Sequence, residues 1–393
     1  MKLISITLLV ITCFNLSFAQ TNRNYKQEFN DLITSTTNKD EYFNKISTFF
    51  SSMDDQELPI ALAKISADKN ADFIAYELFA PNKNRFKNEI FQKEMIKQLE
   101  LKTNTSNFKI VLIDFLSNLD IINETILNNY NNALFEIVKN KDYPPELRSY
   151  AVSHAGISLN YKNNKDEISQ IFKSENYSVI NGTARSINKF LLSKDISKDE
   201  KTYWSNLLIN KAKENYQNID KIEQVVYSLG LTGSPEAREL LLDLLKNNAP
   251  YDKKMGETLA YGLSNIANAE VINAIFNAFS KYPQYDEFGS ELTLKYIVNE
   301  NIDIIKELKK DNKDESRLSF LRAVRLMDTK EREKYISDVK QSLTAESEQE
   351  RLEAVKTLHF LLPYEKEQII FRDFVVKEKC DVIKNQVYYY IGE

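Results

Sequence analysis

The chain has 393 residues, 42% of them hydrophobic and 28% charged, which is enough apolar material for a sizeable core and excludes disorder and collagen. Eight Gly and eight Pro are too few to turn a sandwich or barrel every 8 to 12 residues or so, so a long helical chain is expected. Two Cys, two His and one Trp remove most redox, zinc and haem chemistry, and 52 Lys plus Arg well mixed with 57 Asp plus Glu leave no basic block for nucleic acid or an anionic membrane.

In chain order the first element is a leader. Lys2 precedes an apolar run from Leu3 to Phe14 and the end Ser17-Phe18-Ala19-Gln20, the pattern of a cleavable secretory signal peptide over residues 1–20. Small residues at Ser17 and Ala19 place the cut after Ala19, or one residue later after Gln20. Cys13 is a poor lipidation site, because the residue before a lipidated Cys is normally Gly, Ala or Ser and Thr12 is none of these. The apolar run is also shorter than the roughly 20 residues that span a bilayer. The mature chain is therefore expected to be exported, periplasmic or secreted, with no integral membrane segment. Loss of Lys2 takes the formal net charge from −5 to −6. Only Cys380 then remains, so no internal disulfide can form. The Asn-x-Ser/Thr sequences at Asn104, Asn123, Asn176 and Asn181 follow from a general richness in Asn.

Beyond the leader, apolar residues recur at helical spacing almost everywhere, as in Leu240, Leu241, Leu244 and Leu245, or Ile272, Ile275, Phe276 and Phe279. About twenty helices of roughly 10 to 17 residues are predicted, joined by short polar linkers that make neighbours antiparallel. Residues 21–139 have this texture without repeat landmarks. Further on, Tyr227 to Leu245 superposes without a gap on Tyr261 to Phe279, at an offset of 34 residues. Arg317-Leu318 and Leu321 to Met327 match Arg351-Leu352 and Val355 to Leu361 at the same offset. A helical hairpin that is apolar on both sides can bury itself only by stacking on its neighbours, which gives a continuous superhelical core.

These segments resemble the HEAT-like repeats, including the short variety first seen in phycobilisome lyases. Asp142-Tyr143-Pro144-Pro145-Glu146-Leu147-Arg148-Ser149-Tyr150-Ala151-Val152 looks like the pattern in which a Pro opens a helix and an Arg precedes a small-apolar pair. Leu229-Gly230 followed by Gly233-Ser234-Pro235-Glu236-Ala237 resembles the inter-helix turn of the short type. The resemblance covers residues 140–393 and extends to residues 21–139 by analogy. It implies an all-α solenoid of antiparallel hairpins acting as a protein-binding scaffold or adaptor, with no active site and no cofactor. The expected partner is a protein or extended peptide on the concave face formed by the second helices. The alternatives are a helical toroid that cleaves glycosides, an accessory piece related to the C-terminal domain of zinc aminopeptidases, and a structural part of an envelope assembly.

No motif forces an enzymatic reading. No Gly-Lys pair occurs, so there is no P-loop, and G-x-S-x-G, CxxC, HExxH and GxGxxG are missing. His154 and His359 are expected as packed core histidines. Cys380 follows His359 by 21 residues and could touch it from an adjacent helix, but such a pair lacks the orienting group and oxyanion site of a nucleophile. Asp54, Asp55 and Glu57, like Glu346, Glu348 and Glu350, fall at predicted helix starts and suit the helix dipole better than paired-carboxylate hydrolysis. Trp204 is too isolated to build a sugar platform. In Tyr388-Tyr389-Tyr390 at least one ring must be exposed, since successive helical residues point about 100° apart. Arg148, Arg185, Arg317 and Arg351 share a repeat position, where they either pair with Asp or Glu between hairpins or form a ladder for acidic segments.

Overall fold

A computed structural model describes residues 23–119, 123–155, 161–174, 176–194, 196–247, 252–282, 288–311 and 313–392. The leader, with Cys13 and the cleavage positions Ser17 and Ala19, lies outside the described residues. The described residues are mainly helical, with no strand among them. The chain divides into two compact units, Met1–Phe190 and Leu191–Glu393.

In the first unit the helices are α1 (Tyr25–Thr34), α2 (Lys39–Ser51), α3 (Glu57–Ser66), α4 (Glu89–Glu100), α5 (Ser106–Ser117), α6 (Glu124–Lys139), α7 (Pro145–Ala155), α8 (Tyr161–Ile171) and α9 (Tyr177–Leu191). Helices α1, α3, α4 and α6 stack in one row, and α5 packs on α7 in the other. Between α3 and α4 the chain leaves regular α geometry, passing through a π-helix at Ile74–Phe79 and a 3-10 helix at Ala80–Lys87. Pro81 lacks the amide hydrogen an α-ladder needs there. The irregular stretch is held by Phe79 and Phe86, whose rings meet Phe115 at 4.8 and 5.3 Å. Each such fully buried side chain contributes roughly 1.5–3 kcal/mol.

The second unit continues with α10 (Lys198–Glu214), α11 (Glu223–Leu231), α12 (Pro235–Asn247), α13 (Lys253–Ser264), α14 (Ala269–Lys281), α15 (Phe288–Glu300), α16 (Ile302–Lys310), α17 (Asp314–Leu326), α18 (Ile336–Ser342), α19 (Glu348–Leu361), α20 (Tyr364–Val375) and α21 (Asp381–Ile391). Odd-numbered helices from α11 to α21 form one row, each packed on the next, and α10, α12, α14 and α16 form the other. This is the stacked-hairpin layout of an α-solenoid. Among the helices named, α11 and α16 with nine residues and α18 with seven fall short of the predicted length.

Asn richness has a local use. The side chains of Asn38, Asn88, Asn123 and Asn268 accept hydrogen bonds from the first free amides of α2, α4, α6 and α14, and Ser197 with Glu200 forms a capping box on α10. The turn after α11 needs Gly233, whose φ of 67° is left-handed, and Pro235 then opens α12. Gly230 serves a different purpose. A Cβ built there would lie 2.0 Å from the carbonyl oxygen of Gly262, so α11 and α13 approach backbone to backbone.

Candidate partner-binding surface

The row α11, α13, α15 carries Tyr227, Tyr261 and Tyr296, which are 34 and 35 residues apart. Each sits on the side of its helix away from the core residues Val226, Leu229, Leu259, Leu263, Ile297 and Val298, all buried. Tyr261 and Tyr296 meet with ring centroids 5.5 Å apart at 59°, and Tyr296 is 53% exposed. With Ser264, Asn265, Glu300 and Asn301 the three rings line a shallow cleft of about 140 Å³. Asn301 Nδ2 donates to Ser264 Oγ at 2.9 Å and to the Ile297 carbonyl at 2.8 Å, while Asn265 Nδ2 donates to the Tyr261 carbonyl at 3.0 Å. Both amides are thereby fixed by donor groups, and their oxygens remain acceptors. On the other row a groove of about 470 Å³ runs over Ala274 and Ala278 of α14, rimmed by Lys246, Glu270, Lys281 and Lys313.

Three of the four repeat arginines are used within the stack. Arg317 reaches Glu350 at 3.0 Å, and Arg351 grips both oxygens of Glu378 at 2.7 and 3.0 Å. The Arg351 contact holds the Glu378 carboxyl at about 2, helped by the backbone amides of Cys380 and Lys379, while the carboxylate raises the guanidinium. Arg148 donates to the Val138 carbonyl at 2.8 Å and so finishes the C-terminal end of α6. Arg185 is exposed. The pairing of Arg317 and Arg351 with neighbouring hairpins is the first of the two roles that the sequence left open.

The histidines differ from one another. His154 is half-buried beside Tyr150, ring centroids 4.6 Å apart, and its Nδ1 is buried without a hydrogen-bond partner among the described residues. Burial, reinforced by Lys189 and Arg185, pulls it down to about 4. His359 departs from the expectation of a core residue: its side chain is 43% exposed. Its Nδ1 lies 2.5 Å from the buried Glu367, and its ring stacks on Tyr390 at 3.7 Å. Helical spacing puts His359 beside core positions, but α21 covers only one flank of it. Cys380 stands at the N-cap of α21 with its amide on Glu378, and no His359–Cys380 contact is present among the described residues.

The acidic candidates are helix-start and pairing groups. Asp54 accepts from the amides of Gln56 and Glu57, Asp55 pairs with Arg85 at 2.6 Å, and Glu57 pairs with Arg23 at 2.7 Å. Glu348 and Glu350 lie in the first turn of α19, and Glu346 gives its carbonyl to Arg351. Trp204 is fully buried with Tyr203 edge-on at 5.2 Å. In the Tyr run, Tyr389 is 79% exposed, Tyr388 is partly exposed and Tyr390 faces His359. No set of His, Cys, Asp and Glu side chains that could hold a metal ion occurs among the described residues, nor any helix long and apolar enough to cross a membrane.

Two features escaped the sequence reading. Glu353 is buried and bridges Arg322 and Arg325 of the preceding hairpin. Lys109 is fully buried, donates to the Leu99 carbonyl at the end of α4, faces the Tyr143 ring at 5.0 Å, and is held at about 8 by burial. Its signal was a lone charge inside the apolar run Phe108-Lys109-Ile110-Val111-Leu112.

No protein-family model matches the chain, and no curated protein matches it. Among solved structures it is similar to Kap121p bound to Pho4p, with a TM-score of 0.55 at 10% identity over 94% of this chain and 45% of that one. It is also similar to Kap121p bound to Ste12p, with a TM-score of 0.54 at 10% identity over 93% of this chain and 44% of that one, and to Kap121p alone, with a TM-score of 0.52 over the same shares. The chain thus spans less than half the length of Kap121p. At this identity the likeness is one of fold: an all-α solenoid of the HEAT-repeat class.

Proposed function

We propose that the chain is a non-enzymatic scaffold or adaptor, of the short HEAT-like type, exported to the cell envelope, where it holds an extended protein or peptide segment on its concave face. With the Gly233-Ser234-Pro235 segment as the turn within a hairpin, the hairpins are α11–α12 and α13–α14, so α11, α13 and α15 are first helices, and the concave side is assigned to this row from its packing rather than from helix order. The close approach of Gly230 to Gly262 supports placing the concave side there, because the more tightly spaced row is the inner one in a curved stack.

The observation that carries the reading is the ladder of Tyr227, Tyr261 and Tyr296 on that row. Such rings offer large, rigid, amphipathic contact area and are favoured where proteins meet. The fold likeness to Kap121p, which forms complexes with Pho4p and Ste12p, supports a protein partner rather than a small molecule. Export rests on the leader over residues 1–20.

The test is a photo-crosslinking amino acid placed at Tyr261 or Tyr296 of the chain from residue 21 to 393, mixed with the envelope fraction of its source. One stoichiometric protein partner should be captured, and competition by that partner's free segment should weaken at least tenfold in the Tyr261→Ala/Tyr296→Ala double variant. A folded protein that captures nothing, or a partner whose affinity the double variant leaves unchanged, would remove this row as the binding face. N-terminal sequencing of the protein from cells should begin at Gln20 or Thr21; a retained Met1 contradicts export by cleavage.

A further inference from the structure

Arginine placement singles out one position. The chain is acidic overall, and Arg23, Arg85, Arg238, Arg317, Arg322, Arg325 and Arg351 each face a carboxylate. Arg148 is spent on a helix end, and Arg332 lies over the ring of Phe360 at 5.2 Å. Arg185 is exposed and makes neither ion pair nor hydrogen bond among the described residues. It stands one turn before Lys189 on α9, so two like charges are neighbours on one helix face.

Helix α9 is pressed onto α7 in a fixed register. A Cβ at Gly182 would fall 2.3 Å from the Ser149 carbonyl oxygen, the Ser186 hydroxyl donates to the Val152 carbonyl, and Lys189 Nζ donates to the Ser153 carbonyl at 3.0 Å. This register sets Lys189 next to His154 of α7, with Arg185 one turn before it on the same face, and the Nδ1 of that imidazole is buried and has no hydrogen-bond partner among the described residues. The carboxylate that also faces the ring is Asp114 of α5, and it is already engaged, accepting from the Tyr150 hydroxyl at 3.1 Å and from Asn118 Nδ2 at 3.4 Å. Two cations and an imidazole therefore lie on adjoining turns of α7 and α9, and the acid named there is occupied.

We propose that Arg185, Lys189 and His154 form a binding site for an anionic oxygen group, a carboxylate or a phosphate, on a ligand that reaches this face of the first unit. Arg185 offers a planar fork of donors that matches two oxygens of such a group, and Lys189 keeps two N–H donors after its bond to Ser153. Asp114, Tyr150, Arg185 and Lys189 are the titratable and charged groups that face the imidazole. Burial first, then the two cations, holds His154 at about 4, and burial holds Lys189 at about 8. A bound anion offsets both effects, so its binding and protonation of His154 strengthen one another by the same factor. The site stands independently of the scaffold reading, because it is tested with small ligands.

The sequence has two histidines, so the intact protein gives two imidazole signals by nuclear magnetic resonance, and His359 is a control in the other unit. An amidated acetyl-diglutamate peptide and inorganic phosphate are titrated in separate arms against sodium chloride of equal ionic strength. The His154 signal should move saturably, the His359 signal should not, and the His154 midpoint should rise by about one pH unit. Saturation by the peptide alone assigns the site to carboxylates, by phosphate alone to phosphates, and by both to either. Arg185→Gln leaves the α7–α9 packing intact and should abolish most of the response, and Arg185→Lys should restore part of it. A His154 response no larger than that to sodium chloride, or one that persists undiminished in Arg185→Gln, overturns the site.

Discussion

Arg351 shows how single residues hold this chain together. Its guanidinium grips a nearly buried Glu378 and also donates to the carbonyls of Ala345 and Glu346. Arg351→Met should cost about 2–3 kcal/mol in urea unfolding at neutral pH, because it leaves a buried carboxylate without its charge partner. Glu378 has a depressed folded pKa, so its contribution is present above pH 4.5 and lost as the pH falls toward about 2; in Glu378→Gln that part of the acid limb should vanish. For His154 the base is depressed instead. The unfolded chain binds the proton first, so stability should fall by about 3 kcal/mol as the pH drops from about 6.5 to about 4, and His154→Phe should flatten that interval. At this scale the sequence was only partly legible. It marked Arg317 and Arg351 as repeat positions, but their acceptors lie 33 and 27 residues away on other hairpins. The exposure of His359 depends likewise on what a neighbouring helix fails to cover.

Among elements, the contact of α11 with α13 sets a strict size limit. Gly230→Ala places a methyl group 2.0 Å from a backbone carbonyl that cannot step aside. Gly262→Ala meets the Val226 carbonyl only at 3.2 Å. Thermal unfolding should therefore show Gly230→Ala destabilised by about 1–3 kcal/mol and Gly262→Ala by distinctly less; equal effects would mean that the helices can separate freely. Helix identity was legible here because apolar spacing, Asn and Ser caps and the Gly233-Ser234-Pro235 turn agree with one another. The π and 3-10 segments from Ile74 to Lys87 were not: Pro81 marks a break, but the packing of Phe79 and Phe86 on Phe115 that holds the irregular stretch exists only once α5 is in place.

At the level of the whole molecule, each hairpin contacts its sequence neighbours, and stability is close to a sum of local interfaces. Residues 191–393 alone should keep their helical circular dichroism per residue and melt cooperatively, since their core and the Arg317, Arg322, Arg325 and Arg351 pairs lie within that unit. A fragment that loses its helicity would show that the second unit depends on the first. The solenoid class was legible in the 34-residue offset, whereas the partner surface was not, because Tyr is as common in cores as at interfaces.

Arg317 and Arg351 occupy equivalent places in successive repeats, and each reaches forward to a glutamate in the hairpin that follows. A duplicated copy of such a hairpin arrives with a glutamate for the arginine behind it and an arginine for the glutamate ahead. Both new junctions are then matched at birth, so the chain can gain or lose a repeat in one genetic step and still close its polar contacts.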